Sequence, residues 1–452
     1  MFKYDSFIGL TDMPNETKII MRKYGLIRFI ASASFGIANT ILTLFIIDNL
    51  GFKNASIVFT IMMATQLVLD YPSGSLSDWL GQRFILSSSF LLSAVGFFLL
   101  TLASNFNHYV LIAILFGIAN SQSSGTLQSW LDNNYKKFEG DFDKDKKQYG
   151  YAMTRFQAFD TLVIGFAIVI GGMISSKFSR ELVFFIQSIL VLIATILTFK
   201  ILKVNDSISP EQIIQSLDNT KPSYLDIIKN GLKFVYSEKT VFFFIIGIAI
   251  FQLSWTVWGT LLLFPIYFNY TGSDSGAGIL RSLIFFTGVF IQIKLSNATR
   301  KVENNKLSLL IFVQGILCLG GAFTIFTLYP ATGYFTLTGF ILIFLLMTIS
   351  ISIFMPFIST IIQRMLIDLV PSEYRNSIYS LMPTIQGAFA LALLPFSGFV
   401  AETYGLSSVI IICGVILAVS TLFIHVSIIT KQKTNFTTIV KEDKPTIVVS
   451  GE

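Results

Sequence analysis

The chain has 452 residues, of which 53% are hydrophobic, 14% aromatic and only 13% charged, and its mean hydropathy is +0.70. That composition excludes an ordinary soluble globular protein. The net charge of +6 raises nucleic acid as a partner, but the Lys and Arg residues lie between apolar runs and not on one surface, so none is expected.

Residues 1–23 are polar and hold no short apolar core with a small-residue cleavage site, so they read as a cytoplasmic N-terminal segment and not a removable leader. Apolar runs follow near 24–47, 55–75, 84–104, 109–131, 151–175 and 181–202, then 240–268, 276–295, 307–328, 333–363, 377–400 and 406–429. Each can cross a hydrocarbon core of about 30 Å, and twelve crossings at about 20 residues use roughly 240 residues. The expected fold is all-α: twelve transmembrane helices in two six-helix bundles, 24–202 and 240–430, with a polar linker at 203–239 and a cytoplasmic tail at 431–452.

With the N-terminus inside, Lys53, Lys177 and Arg180 are the Lys and Arg residues that fall in outer loops. This asymmetry fits the positive-inside rule, placing both termini in the cytoplasm and the protein in the cell membrane. In the linker, Tyr224, Leu225, Ile228, Leu232 and Val235 share a helical face opposite Asp226, Lys229, Asn230 and Lys233. That pattern fits a helix on the membrane surface or a solvated helix between bundles. The tail beyond Lys431 is polar and reads as disordered.

Between the second and third runs lies Asp70-Tyr71-Pro72-Ser73-Gly74-Ser75-Leu76-Ser77-Asp78-Trp79-Leu80-Gly81-Gln82-Arg83. Pro72 and Gly74 are expected to end one helix, Asp78 to cap the next, and Gly81 to let two helix ends approach. The spacing Gly74-x-Leu76-x-Asp78-x-x-Gly81-x-Arg83 resembles the loop between helices 2 and 3 of the major facilitator superfamily of secondary transporters. Trp79 and Gln82 stand where that family usually has basic residues. Ser123 to Asp132 and Arg364 to Ser380 resemble segments of a branch that contains drug exporters. The halves echo one another: Leu76-Ser77-Asp78 against Leu295-Ser296-Asn297, and Gln128 to Asp132 against Gln363 to Asp368.

The resemblance implies alternating access without a covalent step. It also implies a cytoplasmic gate of Asp70, Gly74, Asp78, Gly81, Arg83 and Asp132, closing against the start of span 11. Two features common in drug–proton exporters are missing, an arginine within span 4 and a Gly-Pro-x-x-Gly-Gly pattern in span 5. Gly165, Gly171 and Gly172 would still permit close helix packing there.

Polar residues inside spans are costly and point to a cavity. Asp160 lies about ten residues into span 5, roughly 15 Å deep, and shares a face with Gln157 and Thr161. It is the candidate coupling residue, against a buried structural hydrogen bond. Arg28 opens a stripe of Ser32, Gly36, Asn39 and Thr43, with Asp70 as a possible partner. Arg155 either faces the cavity or snorkels. Span 4 carries Asn120, Ser124, Gln128 and Asp132; span 10 carries Thr348, Ser352, Ser359 and Gln363, with Pro356 placed to bend the helix. Gln252 and Trp255 of span 7 and Gln386 of span 11 complete the candidate cavity. Arg281 either draws an anionic cargo or anchors at headgroups.

Cys318, Cys413, His108 and His425 are scattered, so no metal or cofactor is expected. The expected function is secondary active transport of a small organic molecule by a monomer, coupled to protons or another ion, with efflux among its possible directions. The alternatives are a transporter-like receptor or an uncoupled facilitator, and an enzyme is not expected.

Overall fold

A computed structural model describes residues 5, 8–11, 13–136, 143, 147–202, 233–299, 301–328, 335–370 and 372–442, without the side chains of 71, 74–75, 78–79, 136, 147, 293, 296–297, 299, 372–381 and 432–442. Every long element among them is helical. The first half holds α1 (Asn15–Gly36), α2 (Ile41–Leu80), α3 (Gln82–Leu100), α4 (Phe106–Ser123), α5 (Thr126–Lys136), α6 (Lys147–Lys177) and α7 (Arg180–Ile201). The second holds α8 (Lys239–Val257), α9 (Leu263–Thr271), α10 (Asp274–Thr299), α11 (Leu307–Gly315), α12 (Gly321–Leu328), α13 (Leu337–Met347), α14 (Met355–Leu369), α15 (Ser372–Tyr404) and α16 (Leu406–Glu442). Eleven described segments are long and apolar enough to cross a membrane.

The first of these, Asn15–Asp70, runs 56 residues and is broken twice. At 37–40 the helix opens into turns. In lipid a freed backbone group needs an internal partner, and Gln187 of α7 supplies one by accepting from the Ala38 N–H at 2.9 Å. The second break is Gly51, whose φ of 73° lies in the left-handed region that favours glycine.

Two expectations about chain ends change. Pro72 does not end its helix: α2 continues through it to Leu80, and the stop is Gly81 at φ 91°. Asp78 therefore sits inside α2 instead of capping α3, whose N-cap is Gly81 with no side-chain bond. Ser73 accounts for part of this continuity, since its hydroxyl donates to the Asp70 carbonyl at 2.9 Å and to the Ser121 carbonyl of α4 at 2.8 Å. The tail read as disordered begins as helix, because α16 runs on to Glu442. No Gly or Pro stands between Lys431 and Pro445, so no helix breaker stands there. The linker residues 203–232, with most of the amphipathic pattern, lie outside the described residues.

The first-half helices pack among themselves, α2 on α4, α3 on α7 and α1 on α6, as do α8 on α16 and α8 on α15 in the second. Serine hydroxyls tie neighbours through carbonyls, as membrane helices do: Ser89 to Ala119 and Ser188 to Ala94 at 2.8 Å, and Ser420 to Gly247 at 2.8 Å. The halves meet along α6–α10 and α2–α15. Small residues make both crossings possible. A Cβ at Gly172 would stand 2.7 Å from the Asp274 carbonyl oxygen, and one at Gly398 would collide with Ser56. Outward-facing positions are large and apolar, among them Phe166 at 62% and Leu422 at 64% exposure.

Three π-helical stretches, Trp258–Leu262, Ile316–Gly320 and Thr348–Phe354, interrupt described second-half helices. The third ends two residues before Pro356 and contains Ser352, whose carbonyl, four residues back, the proline ring cannot tolerate in a regular helix.

Candidate functional site

Arg28 of α1 and Asp160 of α6 form an ion pair inside the first half. Ser32, one turn above Arg28, donates to the other Asp160 oxygen at 3.1 Å. Arg28 Nη1 also donates to the Tyr24 hydroxyl at 2.7 Å. From there the bonding continues without a gap: Tyr24 OH donates to Gln128 Oε1 at 3.2 Å, and Gln128 Nε2 donates to Asp132 at 3.1 Å and to the Tyr149 hydroxyl, which itself donates to Asp132. Asp143 fixes Tyr149 by accepting from the Gln148 and Tyr149 backbone N–H groups at 3.0 and 2.9 Å, near the start of α6.

The anticipated pair between Arg28 and Asp70 is not formed. Arg28 is taken by Asp160, and Asp70 Oδ1 is buried with no partner among the described residues. The two acids lie on different helices, and the face of α1 that carries Arg28, Ser32 and Gly36 turns toward α6.

Below the α6–α10 crossing the two helices part around a cavity of about 590 Å³ lined by Arg155, Gln157, Thr161, Gly288, Gln292 and Ser352, among others. Arg155 also donates to the Tyr151 hydroxyl at 2.8 Å. A smaller cavity of about 250 Å³ runs along α1 past Ser32, Gly36 and Asn39. A groove of about 420 Å³ between 312–323 and 410–421 is apolar and faces outward. Phe312, Ile316, Ile411 and Val415, each about half exposed there, suit lipid tails.

Other candidates are spread more widely. Gln386 Nε2 donates to Thr256 Oγ1 at 2.7 Å, tying α15 to α8. Trp255 packs edge-on to Trp258 at 6.3 Å, and Gln252 lies one turn earlier. Asn120 and Ser124 are exposed where α4 ends, since Gly125 at φ 70° separates it from α5. Arg83 stacks on Phe199 at 3.8 Å. The side chain of Asp78 lies outside the described residues, so an Asp78–Arg83 contact has no description.

Sequence reasoning missed a second cluster at the opposite end. Arg180, the first residue of α7, grips both Asp274 oxygens at 2.8 Å and reaches Asp48 at 2.5 Å. Ser175 donates to Asp274, and Ser176 accepts from the Ser275 N–H at 2.8 Å. On the other crossing, Glu402 accepts from the Lys53 N–H at 2.8 Å. The halves are thus clasped at the Arg180 end and parted around the cavity toward the Gly81 end. The signal in sequence was slight: Arg180 and Asp274 both stand at helix starts, 94 residues apart.

The family pattern described as Major Facilitator Superfamily matches residues 24–366. A Bacillus subtilis (strain 168) protein, "Uncharacterized MFS-type transporter YxaM", is 22% identical over 405 residues, covering 89% of this chain and 94% of that protein. Among solved structures, a mutant of the nucleoside transporter NupG superposes with TM-score 0.72 at 14% identity, over 90% of this chain and 99% of that one. The POT family transporter PepTSo gives 0.63 at 14% identity, over 94% and 98%.

Proposed function

The chain belongs to the major facilitator superfamily, and from that premise we propose a proton-coupled carrier of a small organic molecule, with Asp160 as the coupling residue. The observation that supports it is the Arg28–Asp160 pair. While the pair stands, Asp160 is charged. A ligand that draws Arg28 away leaves a carboxylate inside the membrane without a cation, and such a group is stable there only as the neutral acid. Cargo binding and proton uptake are linked in this way. A cavity of about 590 Å³ suits a small-molecule cargo.

The architecture we propose has twelve crossings. Asn15–Asp70, at 56 residues, runs about 84 Å if helical, more than two bilayer cores of about 30 Å, and it reverses at Gly51. The bundles are 24–202 and 240–430. Lys and Arg distribution supports cytoplasmic termini, which makes the Arg180 clasp the outer closure and leaves the cavity open inward. At the inner end, Asp70, Gly74, Asp78, Gly81, Arg83 and Asp132 form the gate. Arg28, Asn39, Asn120, Ser124, Gln157, Gln252, Trp255 and Gln386 face the transport path.

The test is flux into proteoliposomes under imposed pH gradients of either sign, using a labelled compound first selected by thermal stabilisation of the purified protein. Wild type should accumulate or expel it with the gradient. Asp160→Asn should keep cargo exchange and lose gradient-driven accumulation. Normal accumulation by a stable Asp160→Asn protein would sink the coupling role.

A further inference from the structure

One cation in the second half has two buried guanidinium nitrogens and no counter-ion among the described residues. Arg281 stands about two turns into α10, and its Nε and Nη1 are buried with no acceptor among the described residues. Its guanidinium lies 4.3 Å from the Phe285 ring centre and 6.0 Å from that of Phe264. The Tyr267 hydroxyl lies beside it and is also buried. Ring faces attract a cation, but they offset only part of what it loses on leaving water.

Among the described residues, no acid of this half pairs with it. Between residues 240 and 430 the acids are Asp274, Glu303, Asp368, Glu373 and Glu402, all at helix ends or in connections. The nearest in sequence, Asp274, is held by Arg180. In the first half Arg28 meets the same cost with Asp160 beside it. Arg281 has no such residue.

Its position shows where the counter-charge would come from. Arg281, Phe285, Gly288 and Gln292 fall at i, i+4, i+7 and i+11, one face of α10, and the last three line the 590 Å³ cavity. Arg281 is one turn beyond them, toward the clasped end.

We propose that the missing counter-ion is the cargo: an organic anion whose carboxylate or phosphate oxygens accept from Arg281 and Tyr267, while its apolar body rests on Phe264 and Phe285. This rests on the carrier reading and narrows its substrate class.

Four probes of similar size separate the cases: benzoate, phenyl phosphate, benzyl alcohol and benzylamine. In thermal unfolding of the full purified chain, one or both anions should raise the Tm saturably while the alcohol and amine do not, and which anion acts tells carboxylate from phosphate. Arg281→Gln should weaken that effect at least tenfold, with Arg281→Lys recovering part of it. If Arg281→Gln does not fold, phenylglyoxal labelling of Arg281 in wild type, read by peptide mass spectrometry, should be slowed by the active anion. Equal effects of all four probes, no effect of either anion, or an anion effect indifferent to Arg281 would overturn the assignment. Saturable anion binding without flux in proteoliposomes would leave it standing and remove the carrier reading, whereas flux of the neutral probe alone would do the reverse.

Discussion

Arg28 and Asp160 each cancel a cost that the other would bear alone. Stranding one member of a buried pair costs about 3–5 kcal/mol, and the cost here is smaller because the Arg28 side chain keeps 27% of its exposure. Asp160→Asn and Arg28→Gln should each lower the Tm in detergent, and the double variant should recover part of the loss, a non-additivity that a double-mutant cycle reads directly. Additive losses would mean that the two side chains act separately. Tyr24→Phe removes the link from Arg28 to Gln128 and should cost about 0.5–1.5 kcal/mol, leaving the pair intact. Asp160 was legible in the sequence as a lone acid deep in a span, and Arg28 as the head of a polar stripe. Their pairing was not, because 132 residues separate them and helical periodicity says which face a residue occupies, never which helix that face meets.

At the scale of helices, the breaks carry as much information as the spans. The Pro72–Gly74 pair reads as a helix stop by local chemistry, yet tertiary packing keeps α2 helical to Leu80; a proline costs a helix one hydrogen bond and some bending, which neighbouring helices can absorb in a membrane. The opening at 37–40 left no local mark at all, since Ile37-Ala38-Asn39-Thr40 holds neither Gly nor Pro. It is shaped from outside, by Gln187 on the Ala38 N–H and by Gly171, where an added Cβ would run into the Ile37 carbonyl oxygen. Backbone cannot yield as a side chain can, so Gly171→Ala should lower the Tm clearly. Gly414→Ala is the control, because nothing lies within 4 Å of its Cβ position and alanine gains up to about 1 kcal/mol in a helix interior. Equal Tm values for the two variants would show that the α6 contact does not hold the break.

For the whole molecule, the clasp at one end and the cavity toward the other are what the proposed carrier would show in one of its two states. Arg180 touches Asp48 of its own half and Asp274 of the other, so the clasp joins the halves through one guanidinium that the proposed alternation would have to release. Its removal should favour the state open at that end. Arg180→Gln deletes both ion pairs and leaves Asp274 uncompensated, and each 1.4 kcal/mol lost from the clasped state shifts the populations about tenfold. Spin labels at Lys177 and Tyr404, exposed residues flanking the clasp on opposite halves, read the change as a distance, with the buried Cys318 and Cys413 replaced by alanine. Wild type should give one short distance. Arg180→Gln should add a longer component, and Asp274→Asn should do the same more weakly because Arg180 keeps Asp48. An unchanged short distance in a well-folded Arg180→Gln protein would show that the Gly172 and Gly398 crossings, and not the ion pairs, hold that end shut.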